Sequence, residues 1–117
     1  MEFAEEINEF DYFERTIKQR YSYLSDEDVV RIVNKAKMIY FSARFPSEPQ
    51  VDEVTRPLTS FKARNWVLAC CEELIERLGF NSATGYRENG ISWTFDGAEV
   101  SERLLRLVKP VIGVISQ

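Results

Sequence analysis

The sequence predicts a mainly α fold: a small helical bundle of three to four helices with one β-hairpin and an extended C-terminal strand. Three observations predict it. Apolar residues recur at helical spacing in three long stretches. Ser25 and Ser60 stand where helix N-caps belong. The apolar period then shortens from 3.6 to 2 on either side of Asn89-Gly90. At 117 residues, 44% hydrophobic and 29% charged, the chain has the size and composition of a single globular domain, residues 1–117, able to bury a core of its own.

In chain order, the first stripe is Phe3, Ile7, Phe10, Ile17, Tyr21 and Leu24, an acidic helical segment over residues 1–24 with a break near Asp11 and Glu14 as the gap in the stripe. Residues 25–79 form the helical core. Ser25-Asp26-Glu27-Asp28 starts its first helix, with a hydroxyl to accept from the backbone and three carboxylates on the positive end of the dipole. The face that follows is Val29, Ile32, Val33, Ala36, Ile39, Tyr40 and Ala43, and it ends before Pro46, because the residue ahead of a proline avoids the helical region. Pro46, Pro49 and Pro57 mark a loop. Thr59-Ser60 caps the next helix, whose face runs Ala63, Val67, Cys70, Cys71, Leu74, Ile75 and Leu78, and Gly79 is placed to end it at positive φ.

Residues 84–95 read as a hairpin about a two-residue Asn89-Gly90 turn, pairing Glu88 with Ile91, Tyr86 with Trp93 and Thr84 with Phe95. Tyr86, Ile91, Trp93 and Phe95 then share one face, which must cover something, since an isolated hairpin is barely stable in water. A short helix over residues 99–109 carries Val100, Leu104, Leu107 and Val108 on one side and stops at Pro110. The tail over 110–117, with Val111, Ile112, Val114 and Ile115, is apolar and β-branched, a strand that needs a partner.

Composition excludes much chemistry. With no histidine, the chain has no Ser-His-Asp triad, no Cys-His pair and no histidine-ligated metal. The two cysteines are adjacent, too few and too close for a disulfide framework or a zinc site, and they read as packed thiols. The five glycines never assemble into a phosphate cradle. Glu72 and Glu76 are i,i+4 neighbours best read as a solvated face. No nucleophile has a base beside it, so the expectation is a protein that is not an enzyme, with no cofactor and no metal. The longest apolar run is too short to cross a bilayer, and Met1-Glu2-Phe3-Ala4-Glu5-Glu6 has no signal-peptide character.

Charge is uneven. The net charge is -4, but residues 1–28 hold nine acids against three bases, and the rest of the chain holds ten acids against twelve bases. An acidic balance disfavours sequence-independent binding to nucleic acid.

The runs Tyr86-Arg87-Glu88-Asn89-Gly90-Ile91-Ser92-Trp93-Thr94-Phe95, Val100-Ser101-Glu102-Arg103-Leu104-Leu105 and Lys109-Pro110-Val111-Ile112-Gly113-Val114-Ile115, with Ala43-Arg44-Phe45-Pro46 before them, resemble head–tail connector (adaptor, or head-completion) proteins of long-tailed phages and prophages of Gram-positive bacteria. The resemblance covers residues 25–117, and Trp66 and Cys70-Cys71 are not part of it. It implies a structural virion protein at the head–tail joint, made in the host cytoplasm. Such a protein forms a homo-oligomeric ring that meets a portal protein and a tail or stopper protein, and passes DNA without binding it specifically. It has no membrane partner. Tyr86, Asn89, Gly90, Ile91, Trp93, Phe95, Pro110, Val111, Ile112, Val114 and Ile115 become candidate subunit contacts. Glu2, Glu5, Glu6 and Glu9 become candidate charges on the channel wall, where like charge would repel phosphates.

An alternative from another class is a small helical nucleic-acid-binding or regulatory protein using a basic strip of Arg15, Lys18, Arg20, Arg31, Lys35 and Lys37. A third, weaker reading is an enzyme that uses only carboxylates with Tyr or Lys.

Overall fold

The computed structural model describes residues 10–47, 51, 54, 56–89 and 100–110. Five helices run through them: α1 Tyr12–Arg20, α2 Asp26–Arg44, α3 Phe61–Arg77, α4 Ala83–Asn89 and α5 Glu102–Arg106. No strand occurs among the described residues.

Local chemistry sets the helix boundaries. Asp11 caps α1: its carboxylate accepts from the Glu14 N–H at 2.8 Å, and Glu14 returns an acceptor to the Asp11 N–H at 3.1 Å. This capping box explains why Glu14 interrupts the apolar stripe and why it is buried. Ser25 caps α2 and Ser60 caps α3, each hydroxyl accepting from the N–H three residues on, as the sequence predicts. α2 stops at Arg44, just ahead of Phe45-Pro46. α3 ends in a Schellman motif: Gly79 takes φ 82°, its N–H donates to the Glu76 carbonyl, and the Phe80 N–H donates to the Ile75 carbonyl. The turn drives Phe80 into the core, where it is fully buried.

α2 and α3 are the central pair, and α1 packs on both. Tyr40 and Arg44, near the end of α2, lie beside Ser60 and Ala63, near the start of α3, so the two helices run antiparallel. The core between them is Val29, Ile32, Val33 and Ala36 with Val67, Cys70, Cys71, Leu74 and Ile75, all solvent-free. At about 1.5–3 kcal/mol for each large buried side chain, this interface outweighs any single cap, worth about 1 kcal/mol. α1 and α5 meet α3 on opposite faces. The Tyr12 ring lies against the Arg64 guanidinium on one side, while Trp66 and Glu73 hold the α5 region on the other. At about 100° per residue, Arg64 stands roughly 160° round the helix from Trp66.

The expected hairpin requires correction. Residues 83–89 are helical, so Thr84, Tyr86 and Glu88 do not form its first strand, and Asn89 ends a helix instead of opening a turn. Gly90, Ile91, Trp93 and Phe95 lie outside the described residues, as do Val111, Ile112, Val114 and Ile115 of the expected C-terminal strand. Ser82 is the cap that the Asn-Gly signal obscured: its hydroxyl accepts from the Gly85 N–H at 3.0 Å. Helix is a poor choice by propensity for Thr84-Gly85, and tertiary contacts override it. Gly85 lies so close to the end of α3 that a Cβ on it would sit 2.3 Å from the Gly79 carbonyl oxygen. The helical turn also delivers the Tyr86 hydroxyl to the start of α2, where it donates to Asp28 Oδ2 at 2.7 Å and accepts from the Ser25 N–H at 3.0 Å. Its ring stands edge-on to Phe80 at 5.1 Å. Asp28 is buried, and a buried carboxylate without donors is costly. A strand ending in a two-residue turn supplies none of these contacts.

Two substitutions check this placement by urea unfolding. Gly85→Ala is expected to cost about 1–3 kcal/mol because the new methyl has no room. Tyr86→Phe is expected to cost about 1–3 kcal/mol because Asp28 loses its hydroxyl donor and the Ser25 N–H its acceptor. A Tyr86 on a solvated hairpin face would make the second change nearly silent.

Candidate functional site

A cleft of about 640 Å³ opens between the end of α2, the first half of α3, and α5 with the residues that follow it. Its construction begins with Trp66. The indole N–H donates to the Leu104 carbonyl at 2.7 Å, and its ring lies 5.6 Å from that of Tyr40. Trp66 is thereby buried and fixes α5 against α3. Ser101 caps α5 through the Leu104 N–H and also engages Glu73: its hydroxyl donates to one carboxylate oxygen at 3.1 Å and its N–H to the other. At the far end Arg44 donates to the Lys109 carbonyl at 2.5 Å, which fastens the chain after α5 to the end of α2. The sequence predicts a helix over 99–109. The helix is the shorter Glu102–Arg106, with Ser101 as its cap.

α5 is therefore held by three polar contacts and a few apolar ones, Val100, Leu104 and Val108 being buried. It does not seal the space beside it. Leu107 lines the cleft and stays 69% exposed. The floor is apolar and aromatic, with Tyr40, Ala63, Trp66, Ala69, Leu104 and Val108. The charged residues lining it are Arg44, Lys62, Arg106 and Lys109, and no carboxylate lines it among the described residues. Among the described residues, Arg106 alone of the four has a carboxylate partner, Glu102 at 3.3 Å, an exposed i,i+4 pair worth little. The cleft is thus a greasy floor with a cationic rim. It suits a segment that is both apolar and acidic.

Of the candidate contacts named from sequence, Tyr86 is partly buried and bonded inside the fold, so it is not a free docking group. Asn89 is the last residue of α4, and Pro110 is exposed just beyond the cleft. Glu2, Glu5, Glu6 and Glu9 lie outside the described residues. The basic strip is not a free surface either. Lys37 pairs with Asp11 at 2.5 Å and lies over the Phe13 ring. Lys18 pairs with Asp26 at 3.2 Å, Arg20 with Glu72, and Arg31 with Asp28 at 3.7 Å. Arg15 donates to the Phe10 carbonyl. The cleft itself was not legible in the sequence, because its four cations come from three separate stretches.

Cys70 and Cys71 are fully buried. Burial, reinforced by Glu73, pushes the Cys70 thiol from its ordinary 9.0 up to about 12. Burial also raises Cys71 well above the ordinary value, with Cys70, Asp11 and Glu72 adding to it and Lys37 opposing. Such thiols are inert packing groups. Burial raises Tyr21 too, helped by Glu72. No group of three or more potential metal ligands occurs among the described residues, and no described helix is long and apolar enough to cross a membrane.

Comparison of the chain with protein-family models, with curated proteins and with solved structures returned no match.

Two outcomes are expected. Trp66→Phe keeps the apolar contact but leaves the Leu104 carbonyl without its donor. It should cost about 1–3 kcal/mol and raise amide exchange chiefly in α5, read by hydrogen–deuterium exchange mass spectrometry. For the thiols, the folded state holds its protons more tightly than the unfolded chain. Their contribution is therefore complete below the unfolded value near 9.0 and drains away as pH rises toward about 12. The urea midpoint should fall from pH 9 upward, and a thiol reagent should modify neither cysteine before unfolding.

Proposed function

We propose that the chain is a structural virion protein, a head–tail connector subunit that assembles with copies of itself into a ring joining the phage portal to the tail and continuing the DNA channel. The observation that carries the reading is a bundle with a complete apolar core beside an open cleft that keeps Leu107 largely exposed. A surface of that kind suits contact with another protein better than catalysis. A closed ring needs heterologous contacts, in which one surface of each subunit meets a different surface of the next. Family likeness adds to this through the order of the runs at 86–95, 100–105 and 109–115, though one of its elements, the strand ahead of Asn89-Gly90, is helical here.

No reaction is assigned to the protein. A net charge of -4 favours a channel component that lets DNA pass over one that grips it. The nucleic-acid-binding alternative rests on the basic strip, and five of its six cations, Arg15, Lys18, Arg20, Arg31 and Lys37, are engaged within the fold.

Native mass spectrometry of the chain mixed with the portal protein of the same phage or prophage tests the reading. Multiple copies bound to one portal assembly are expected. Absence of any complex, together with a salt-dependent shift of duplex DNA by the chain alone, would favour the alternative instead.

A further inference from the structure

We propose that the cleft beside α5 receives the acidic N-terminal segment, residues 1–9, of a second copy of this chain. The inference rests on the ring reading only for closure and names the contact that would build the ring.

Charge and apolar pattern match on the two sides. Residues 1–9 carry Glu2, Glu5, Glu6 and Glu9 and no Lys or Arg. Between these acids stand Phe3 and Ile7, which with Phe10 keep i, i+4, i+7 spacing, one apolar edge on an otherwise acidic segment. The cleft offers the complement: an apolar floor at Trp66 and Leu104, and a rim of Arg44, Lys62, Arg106 and Lys109. The apolar tail over 111–115 would suit the floor, but it has no carboxylate side chain for the rim.

Geometry favours another copy over the chain's own N-terminus. Asp11 is tied to Lys37 and Tyr12 lies against Arg64, so the start of α1 is held on the face of α3 away from Trp66. α1 therefore begins on one side of α3 and the cleft opens on the other. Such a pair of surfaces on opposite faces gives a head-to-tail contact that can repeat around a ring. In this arrangement the four glutamates neutralise a neighbour's rim and do not line the channel.

The test uses the full chain with p-benzoylphenylalanine in place of Phe3. Irradiation should yield cross-linked dimers whose linked peptides map to α3 and α5. Links to the same peptides within one chain, or no link to them at all, would overturn the proposal. Charge exchange supplies a second readout. Glu2→Lys, Glu5→Lys and Glu6→Lys together should cut the dimer yield to about a tenth, as should Lys62→Glu, Arg106→Glu and Lys109→Glu together, because like charges then face each other. Mixing the two variant chains should restore it, since each supplies the other's complement. All three cleft changes are on exposed side chains, where substitution seldom unfolds a domain. Failure of the mixture to recover would contradict the contact. If the links form but the portal is never bound, the contact stands and the ring reading falls.

Discussion

The structure depends on α3 being enclosed on three sides. α1 covers the face around Arg64, α2 the face of Ala63, Val67, Cys70 and Leu74, and the α5 region the face of Trp66 and Glu73. That demand explains why Ala63, Trp66, Val67, Leu68, Cys70, Cys71, Leu74 and Ile75 are all buried, leaving the stripe of Lys62, Asn65, Ala69 and Glu76 to solvent. It also explains the small residues and thiols where α2 comes closest, because tight packing leaves no volume for larger groups. The three enclosures differ in strength. α2 is joined to α3 by a continuous apolar interface, whereas α5 is held by Trp66, Ser101 and Arg44 and leaves a cleft.

α4 belongs to the same scheme by an indirect route. The Schellman turn at Gly79 buries Phe80, Phe80 receives the Tyr86 ring, and Tyr86 reaches the buried Asp28 at the start of α2. Tyr23 joins this cluster, its ring 5.9 Å from Tyr86 and its hydroxyl donating to the Phe80 carbonyl. The connection between α3 and α4 thus locks the cap of α2, and one aromatic hydroxyl serves both a carboxylate and a backbone N–H.

How far the sequence could be read follows from where each signal acts. The caps at Ser25 and Ser60, the stop before Pro46 and the positive φ at Gly79 are local devices, and each stands where the pattern places it. The helix at 83–89 was missed because Asn89-Gly90 is a strong turn signal by itself, while the competing forces are non-local: Gly79 lies six residues back, and Asp28 sits 58 residues from Tyr86. The cleft was missed for the same reason. Arg44, Lys62 and the neighbouring Arg106 and Lys109 lie in three separate stretches and meet only once α2, α3 and α5 are packed. The basic strip shows the converse, since cations adjacent in sequence are dispersed into separate internal pairs.

The central claim is that this bundle is one unit of a closed assembly, with the Trp66–Leu104 cleft as a surface between units. A cryo-electron-microscopy map of the chain bound to its portal tests that most directly. The account predicts a closed ring in which density from the adjoining subunit fills the cleft over Trp66 and Leu107. Isolated copies on the portal, or a ring in which that cleft faces solvent in every subunit, would contradict it.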